Sequence, residues 1–175
     1  MKRLELLHEF VPQARRIAAL ADPSTIPTRA LVMRGAHDLG VEVIRFEAQS
    51  SDEIARALDA IVGAKVEAVN VLASPLLSTF HRSIIDRMRD ARLPAIYQWP
   101  EIAEDGGLLA YGPRVLLCYR HVVSLVDKVL RGAQPHDLPI EQPTKFELVV
   151  NLKTANSIDM TVSPMLLLRA DEVIE

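Results

Sequence analysis

Short apolar runs alternate with amphipathic segments along the first two thirds of the chain. Five of these runs predict buried strands, with the sequences RRIAALA, VEVIRFE, VEAVNVL, PAIYQ and GLLAYG. Two intervening segments predict helices with one apolar face, formed by Ile54, Leu58, Ile61 and Val62 in the first and by Phe80, Ile84, Ile85 and Met88 in the second. Because strands and helices alternate, the pattern predicts an α/β fold in which a doubly wound parallel sheet is covered on both faces.

One later segment is more apolar than a helix on the surface of a small domain usually is. It begins at Val115 and ends at Arg131, and eleven of its seventeen residues are hydrophobic. A proline-rich connector at 133–143 follows, and then a strand at 146–150, a short helix and a closing helical turn that begins with Ser163 and Pro164. Two arrangements of the apolar helix are open: it folds back onto its own sheet, or another chain covers it.

Composition and charge narrow the class of protein. The chain has 175 residues, of which 49% are hydrophobic, enough to form one core without disulfides or metal. Its net charge of -3, without a block of like charge, argues against a nucleic-acid partner. Cys118 is the single cysteine, so no intrachain disulfide can form. Its apolar neighbours Leu116, Leu117 and Val122 predict a buried, unreactive thiol.

The first ten residues lack the pattern of a signal peptide, since Glu5, His8 and Glu9 interrupt the apolar run that such a peptide needs. No apolar stretch is long enough for insertion into a membrane, because Arg120 and Asp127 interrupt the best candidate. As written, the sequence therefore predicts a cytoplasmic protein, unless a leader precedes it.

The loops that follow the predicted strands hold the candidate ligand-binding residues, because ligands of parallel sheets lie beyond the carboxyl ends of the strands. These residues are Asp22, Ser24, Thr25, Thr28, Ser74, Leu76, Thr79, Gln98 and Trp99. Many hydroxyl groups and the single tryptophan suit a small polar or amino-acid-like ligand with an apolar part. Ser, Thr and Asp also cap helices, so a purely structural role for these positions stays open.

The sequence offers no grouping that indicates catalysis, a metal or a cofactor. The five histidines lack the spacing of metal ligands. Glu101, Glu104 and Asp105 lack a nucleophile or a partner for acid-base work, and we expect them to form a solvated acidic turn. We therefore expect no catalytic residues, no cofactor and no enzymatic activity.

Several stretches carry a family resemblance. The longest is VDKVLRGAQPHDLPIEQPTKFELVVNLKTA at 126–155, and others are LGVEVI, LPAIY, GGLLAYGP and the terminal LLLRADEVIE. In these stretches the chain resembles ABC-transporter substrate-binding proteins of the tryptophan/tyrosine-binding type. The resemblance implies one lobe of a type I periplasmic binding protein, with a flavodoxin-like fold. In that family two such lobes close over an amino acid or similar solute and deliver it to an ABC permease, without catalysis, in the periplasm or anchored to the membrane.

The resemblance implies that this chain corresponds to the second lobe. Residues 1–112 would form the lobe with its first five strands, and 113–132 the helix that crosses to the first lobe. Residues 133–175 would supply the connector, the returning strand and the C-terminal helices. Without a first lobe, on the order of 500 Å² of apolar helix surface would remain exposed to solvent. The chain would then lack about 12 kcal/mol of stabilisation that burial of this surface provides. A second copy of the chain is the expected cover, giving a homodimer through the apolar helix.

The resemblance also assigns roles to the nine candidate residues, which would form one side of the ligand cleft. A carboxylate at Asp22 that faces the solute would favour an amine group, and this is a hypothesis. Two other functions are open. One is a cytoplasmic small-molecule-sensing domain of the same fold without a DNA-binding headpiece, and the other, less favoured, is a small α/β enzyme.

Overall fold

The computed structural model describes residues 2–175, except for the side chains of Ser24 and of residues 26–31. Its strands are β1 (Arg16–Ala21), β2 (Glu42–Glu47), β3 (Ala68–Val71), β4 (Ala95–Tyr97), β5 (Leu109–Gly112), β6 (Glu147–Asn151) and β7 (Glu172–Ile174). Its helices are α1 (Lys2–Phe10), α2 (Ile26–Leu39), α3 (Ser51–Gly63), α4 (Pro75–Thr79), α5 (His81–Asp90), α6 (Pro100–Glu104), α7 (Val115–Leu130), α8 (Leu152–Ser157) and α9 (Pro164–Arg169).

The strands form one seven-stranded sheet in the order β2-β1-β3-β4-β5-β6-β7. The pairs from β2 to β5 are all parallel, as the alternating pattern predicts. β6 runs antiparallel to β5, with Leu109 opposite Val150, and β7 runs parallel to β6. The five predicted strands and the doubly wound α/β fold are confirmed. The sequence analysis expected a closing helical turn after Ser163, and α9 is that turn. The strand β7, which follows it, was not predicted.

Two apolar cores cover the two faces of the sheet. Side chains of α3, α5 and α6 pack on one face, and those of α1, α2, α8 and α9 pack on the other. The alternation of a strand separates them: Val149 of β6 belongs to the first core, whereas Leu148 and Val150 belong to the second. On α3, the predicted apolar positions Ile54, Leu58 and Ile61 are buried.

The N-terminal segment is a helix of the second core. α1 buries Leu4, Leu6, Leu7 and Phe10, which follow each other at helical spacing. The polar residues that interrupt its apolar run, such as Glu5 and Glu9, are only half buried because they lie on the outer side of the helix. The sequence analysis weighed this segment only as a possible leader and missed its role in the fold.

Helix α7 buries none of its side chains in the chain itself. Tyr119 and Leu130 are 66% and 81% exposed, so the helix does not fold back onto the sheet. Five exposed apolar residues follow each other at intervals of three and four, namely Leu116, Tyr119, Val123, Val126 and Leu130. The lone thiol of Cys118 lies on this helix and is half buried, so the prediction of a buried cysteine is wrong. In the part of the chain that the structure describes, no helix combines the length and the hydropathy that crossing a membrane requires.

Candidate ligand-binding cleft

A cleft of about 570 Å³ lies beyond the carboxyl ends of β3 and β4. The loop after β3, the loop after β4 and the first turns of α7 form its walls. Its lining residues are Ala73, Ser74, Pro75, Ser78, His81, Gln98, Trp99, Glu101, Ile102, Asp105, Val115 and Tyr119. The cleft therefore combines an apolar and aromatic part with several polar groups, as small-molecule sites do.

Ser74 joins the ends of β1 and β3 beneath the cleft. It caps α4, since its hydroxyl oxygen accepts a hydrogen bond from the backbone N–H of Leu77 at 3.1 Å. The same hydroxyl donates to the carboxylate of Asp22. Both Ser74 and Asp22 are buried, so these contacts fix the two loops relative to each other.

Trp99 forms part of the aromatic surface of the cleft. It is the last residue before α6, and its indole Nε1–H donates to the hydroxyl oxygen of Ser78 at 3.2 Å. Tyr119 lines the cleft from α7. A half-buried indole whose N–H is satisfied offers its ring as an apolar contact for a ligand.

His81 links α5 to the end of α6 at the rim of the cleft. Its Nδ1 lies 2.6 Å from the carbonyl oxygen of Ser78, and its Nε2 lies 2.7 Å from the carboxylate of Asp105. Both partners are acceptors, so each of these contacts is a hydrogen bond when the ring nitrogen concerned carries a proton.

Glu101 connects the cleft to the start of α7. Its Oε1 accepts a hydrogen bond from the backbone N–H of Val115 at 2.9 Å, which satisfies a free donor of the first helical turn. Its Oε2 is enclosed and has no hydrogen-bond partner among the residues that the structure describes. The prediction of a solvated acidic turn is therefore wrong for Glu101, while Glu104 and Asp105 are exposed and pair with Arg114 and Arg82.

Arg114 anchors the base of α7 through three carboxylates. Its guanidinium donates to Glu147 at 2.7 Å and also to Glu104 and Glu172. These bonds, the one to Glu104 first, raise the pKa of Arg114 above its usual range. Lys145 and then Arg114 lower the pKa of Glu147. The cluster joins α6, β6 and β7 to the residue from which α7 departs.

A second cavity of about 280 Å³ adjoins the cleft and shares Ala73 and Gln98 with it. Its other lining residues are Lys2, Arg3, Tyr111, Gly112, Pro113 and Phe146. Gly112 is needed here, because a Cβ at this position would lie 1.9 Å from the carbonyl oxygen of Gln98. The close approach of β5 to the loop after β4 shapes both cavities.

The structure brings three of the nine predicted residues into the cleft, namely Ser74, Gln98 and Trp99. Asp22 and Thr25 line a separate, much smaller cavity, although Asp22 bonds to Ser74. Leu76 packs against the core, and Thr79 is exposed and donates to the carbonyl oxygen of Pro75 at 2.9 Å. The side chains of Ser24 and Thr28 lie outside the described residues.

The nine candidate residues leave out several residues that line the cleft, namely Ser78, His81, Glu101, Asp105, Val115 and Tyr119. Each lies on a helix or just after one, and not in the loop that follows a strand directly. For Glu101 a signal was present, because it lies two residues after the single tryptophan at the end of β4. For Tyr119 no local signal existed, since only the direction of α7 brings it to the cleft.

Comparison with known families decides the identity of this fold. The family model described as ABC transporter substrate binding protein matches residues 1–174. The chain belongs to the ABC transporter substrate-binding protein family. The resemblance inferred from the sequence is thus confirmed, and with it the type of fold. A comparison with curated proteins gave no match.

Three solved structures share the fold. A conserved domain protein from Vibrio cholerae superposes with a TM-score of 0.91 at 20% identity, over 98% of this chain and 59% of that one. An ABC domain from Streptococcus pneumoniae, in complex with L-Trp, has a TM-score of 0.87 at 23% identity, over 99% of this chain and 61% of that one.

A third structure is a ligand-free, open substrate-binding protein with adhesive properties from Clostridium difficile. It has a TM-score of 0.70 at 20% identity, over 99% of this chain and 59% of that one. This substrate-binding protein chain therefore spans about three fifths of the length of each of the three solved chains.

Proposed function

We propose that this substrate-binding protein binds a small solute in the cleft between the loops after β3 and β4, without catalysis. The observation that carries the proposal is the cleft itself, in which the indole of Trp99 lies beside the polar groups of His81 and Glu101. Such a mixture fixes the orientation of a ligand and buries its apolar part. The two serine hydroxyls of the cleft bond to other groups than His81, since that of Ser74 donates to Asp22 and that of Ser78 accepts from Trp99.

The ligand that suits this cleft is an amino acid with an aromatic side chain. The related ABC domain from Streptococcus pneumoniae was solved with L-Trp, and that ligand is the starting hypothesis here. Trp99 and Tyr119 offer aromatic surface for such a ring, since aromatic pairs add stacking or edge contacts to plain burial.

We assign Ser74, Gln98 and Trp99 to direct contact with the solute. Asp22 and Thr25 support these contacts from behind, because Asp22 holds the hydroxyl of Ser74 and Thr25 donates to the carbonyl oxygen of Asp22 at 2.7 Å. Ser24, Thr28, Leu76 and Thr79 remain candidates for contact with a closing lobe. Closure by a second lobe would exclude water from the ligand, which is the basis of tight binding in such receptors.

We propose that an ABC permease receives the solute. The family is periplasmic, a location from which a receptor can deliver a solute to a permease. Residues 1–112 with 133–175 then act as one lobe, and α7 with its flanks (113–132) acts as the segment that leaves the lobe. The exposed side chains of α7 are the support for this division.

In the chain of 175 residues alone, we propose that a second copy covers α7. The stripe Leu116, Tyr119, Val123, Val126 and Leu130 has the alternating spacing of three and four that two packed helices use. Burying on the order of 500 Å² on each copy would reach roughly 1,000 Å² in total, the lower limit for a specific interface. The homodimer would also bring a second wall to the cleft, because Tyr119 belongs to both surfaces.

Isothermal titration with a panel of amino acids tests the solute-binding function. We expect saturable binding of L-tryptophan or L-tyrosine, and weaker binding of L-alanine, because the small side chain leaves the aromatic surface of the cleft uncovered. The variant Trp99→Ala is expected to lower the affinity at least about tenfold, in keeping with the loss of a buried aromatic contact. Binding of no amino acid, or equal binding by the variant, would contradict the proposal.

A further inference from the structure

The cleft and the adjoining cavity carry opposite charges. Glu101 and Asp105 line the cleft, and no lysine or arginine lies among its described lining residues. Lys2 and Arg3 line the smaller cavity, which has no carboxylate among its own. The two spaces meet at Gln98, which lines both. A ligand that extends across Gln98 therefore meets a negative group on one side and a positive group on the other.

Of the two cations that line the smaller cavity, Arg3 is the one without a partner among the described residues. Lys2 pairs with Glu5 at 3.1 Å, whereas the guanidinium of Arg3 has no hydrogen bond or ion pair with any residue that the structure describes. Burial lowers the pKa of Arg3 to about 10. A charge partly withdrawn from water is costly unless it is paired, and a guanidinium matches a carboxylate with two parallel hydrogen bonds. The side chain is thus suited to an anionic group of a ligand.

Glu101 is the corresponding carboxylate. Its Oε1 accepts from Val115, but its enclosed Oε2 is without a partner among the described residues. Glu101 lines the cleft, so an ammonium group of a ligand that reaches its carboxylate would supply the donor that this oxygen lacks. Asp105 is less suited, because His81 already donates to it. Asp22, to which the sequence-based hypothesis assigned the amine, already accepts from Ser74.

We propose that the two spaces together bind a zwitterion, with Arg3 holding its carboxylate and Glu101 holding its ammonium group. Gln98 lies between them, and the aromatic surface of Trp99 receives the apolar part. This inference rests on the proposed function and deepens it, since it names the groups of the solute that this lobe recognises.

Three probes with the same indole body separate the two charges. L-Tryptophan carries both groups, tryptamine keeps the ammonium but lacks the carboxylate, and indole-3-propionate keeps the carboxylate but lacks the ammonium. Titration calorimetry of the full chain measures the dissociation constant of each probe. We expect L-tryptophan to bind at least about tenfold more tightly than either probe with one charge, as a charge-assisted hydrogen bond predicts.

Two variants give a crossed pattern. Arg3→Gln is expected to weaken the binding of L-tryptophan and of indole-3-propionate about tenfold or more. The affinity for tryptamine should stay unchanged. Glu101→Gln is expected to weaken the binding of L-tryptophan and of tryptamine by a similar factor, and to leave the affinity for indole-3-propionate unchanged. The side-chain oxygen of the glutamine can still accept the hydrogen bond from Val115. Arg56→Gln and Glu42→Gln remove exposed charges that line neither cavity and serve as matched controls.

A crossed pattern supports the inference, because a general loss of structure would weaken all three probes together. Equal effects of each variant on the two probes with one charge would overturn it and leave the solute-binding function intact. Binding of none of the probes by the unaltered chain would overturn the proposed function, and the inference with it. If Arg3→Gln does not fold, the variant Arg3→Lys takes its place. It keeps the positive charge but loses the paired donors, so it must weaken the binding only of the probes that carry a carboxylate.

Discussion

The backbone N–H of Val115 donates to the carboxylate of Glu101 at 2.9 Å, and this bond joins the start of α7 to the cleft. The variant Glu101→Ala removes the acceptor, so the first turn of α7 should open more often. Hydrogen exchange at the Val115 amide should accelerate about tenfold, the equivalent of one lost hydrogen bond. Glu101→Gln keeps an acceptor and should retain the protection. Equal exchange in Glu101→Ala and the unaltered chain would show that the bond does not hold the helix.

Gly112 permits the contact between β5 and the loop after β4. An added Cβ would lie 1.9 Å from the carbonyl oxygen of Gln98, so Gly112→Ala must displace backbone. We expect the free energy of unfolding, measured in urea, to fall by at least about 2 kcal/mol. Gly63→Ala is the matched control, because a Cβ there meets nothing within 4 Å at the end of α3. It should be neutral or stabilise by up to about 1 kcal/mol. Similar effects of both variants would contradict the steric argument.

Glu67 makes stability depend on pH. Its carboxylate accepts from the backbone N–H groups of Arg15 at 2.6 Å and Arg16 at 2.9 Å, and these bonds lower the pKa of Glu67 in the folded chain. The stabilisation is therefore complete above the usual pKa of about 4.3 and is lost as the pH falls through the lower, folded value.

The variant Glu67→Gln cannot titrate, so its free energy of unfolding should depend less steeply on pH in that acidic window. Urea unfolding at a series of pH values between neutral and acidic measures the slope. An unchanged slope would mean that other carboxylates account for the acid sensitivity.

The exposed stripe of α7 predicts self-association of the 175-residue chain. Sedimentation at micromolar concentration should give a dimer, and Val123→Glu should give a monomer because a charge in the stripe cannot be buried. Ser124→Glu places the same charge on the same helix but off the stripe, so it should remain dimeric. A monomeric unaltered chain, or equal behaviour of the two variants, would contradict the proposed interface.

The sequence predicted the sheet well because its strands are short apolar runs that end in Asp, Ser or Pro. β1 and β3 are nearly free of polar residues, as strands buried on both faces must be. It failed at the two ends of the chain. α1 contains Glu5, His8 and Glu9 among its buried leucines, and β7 has only three residues, which is too short for a clear alternating pattern.

The cleft was harder to predict than the sheet. Ser74, Gln98 and Trp99 follow strands directly, so the rule about strand ends finds them. His81, Asp105 and Tyr119 enter the cleft through the packing of α5, α6 and α7, which depends on contacts distant in sequence. The pairing of His81 with Asp105 spans 24 positions, and no local pattern encodes it.

The most direct test of solute binding uses the single tryptophan. In a chain labelled with nitrogen-15, Trp99 gives the one indole N–H signal, and unlabelled L-tryptophan adds none. We predict that this signal shifts progressively and reaches saturation as L-tryptophan is added, together with the side-chain amide of Gln98. An indole signal that stays in place up to millimolar ligand, in a chain whose other signals show it to be folded, would contradict binding in this cleft.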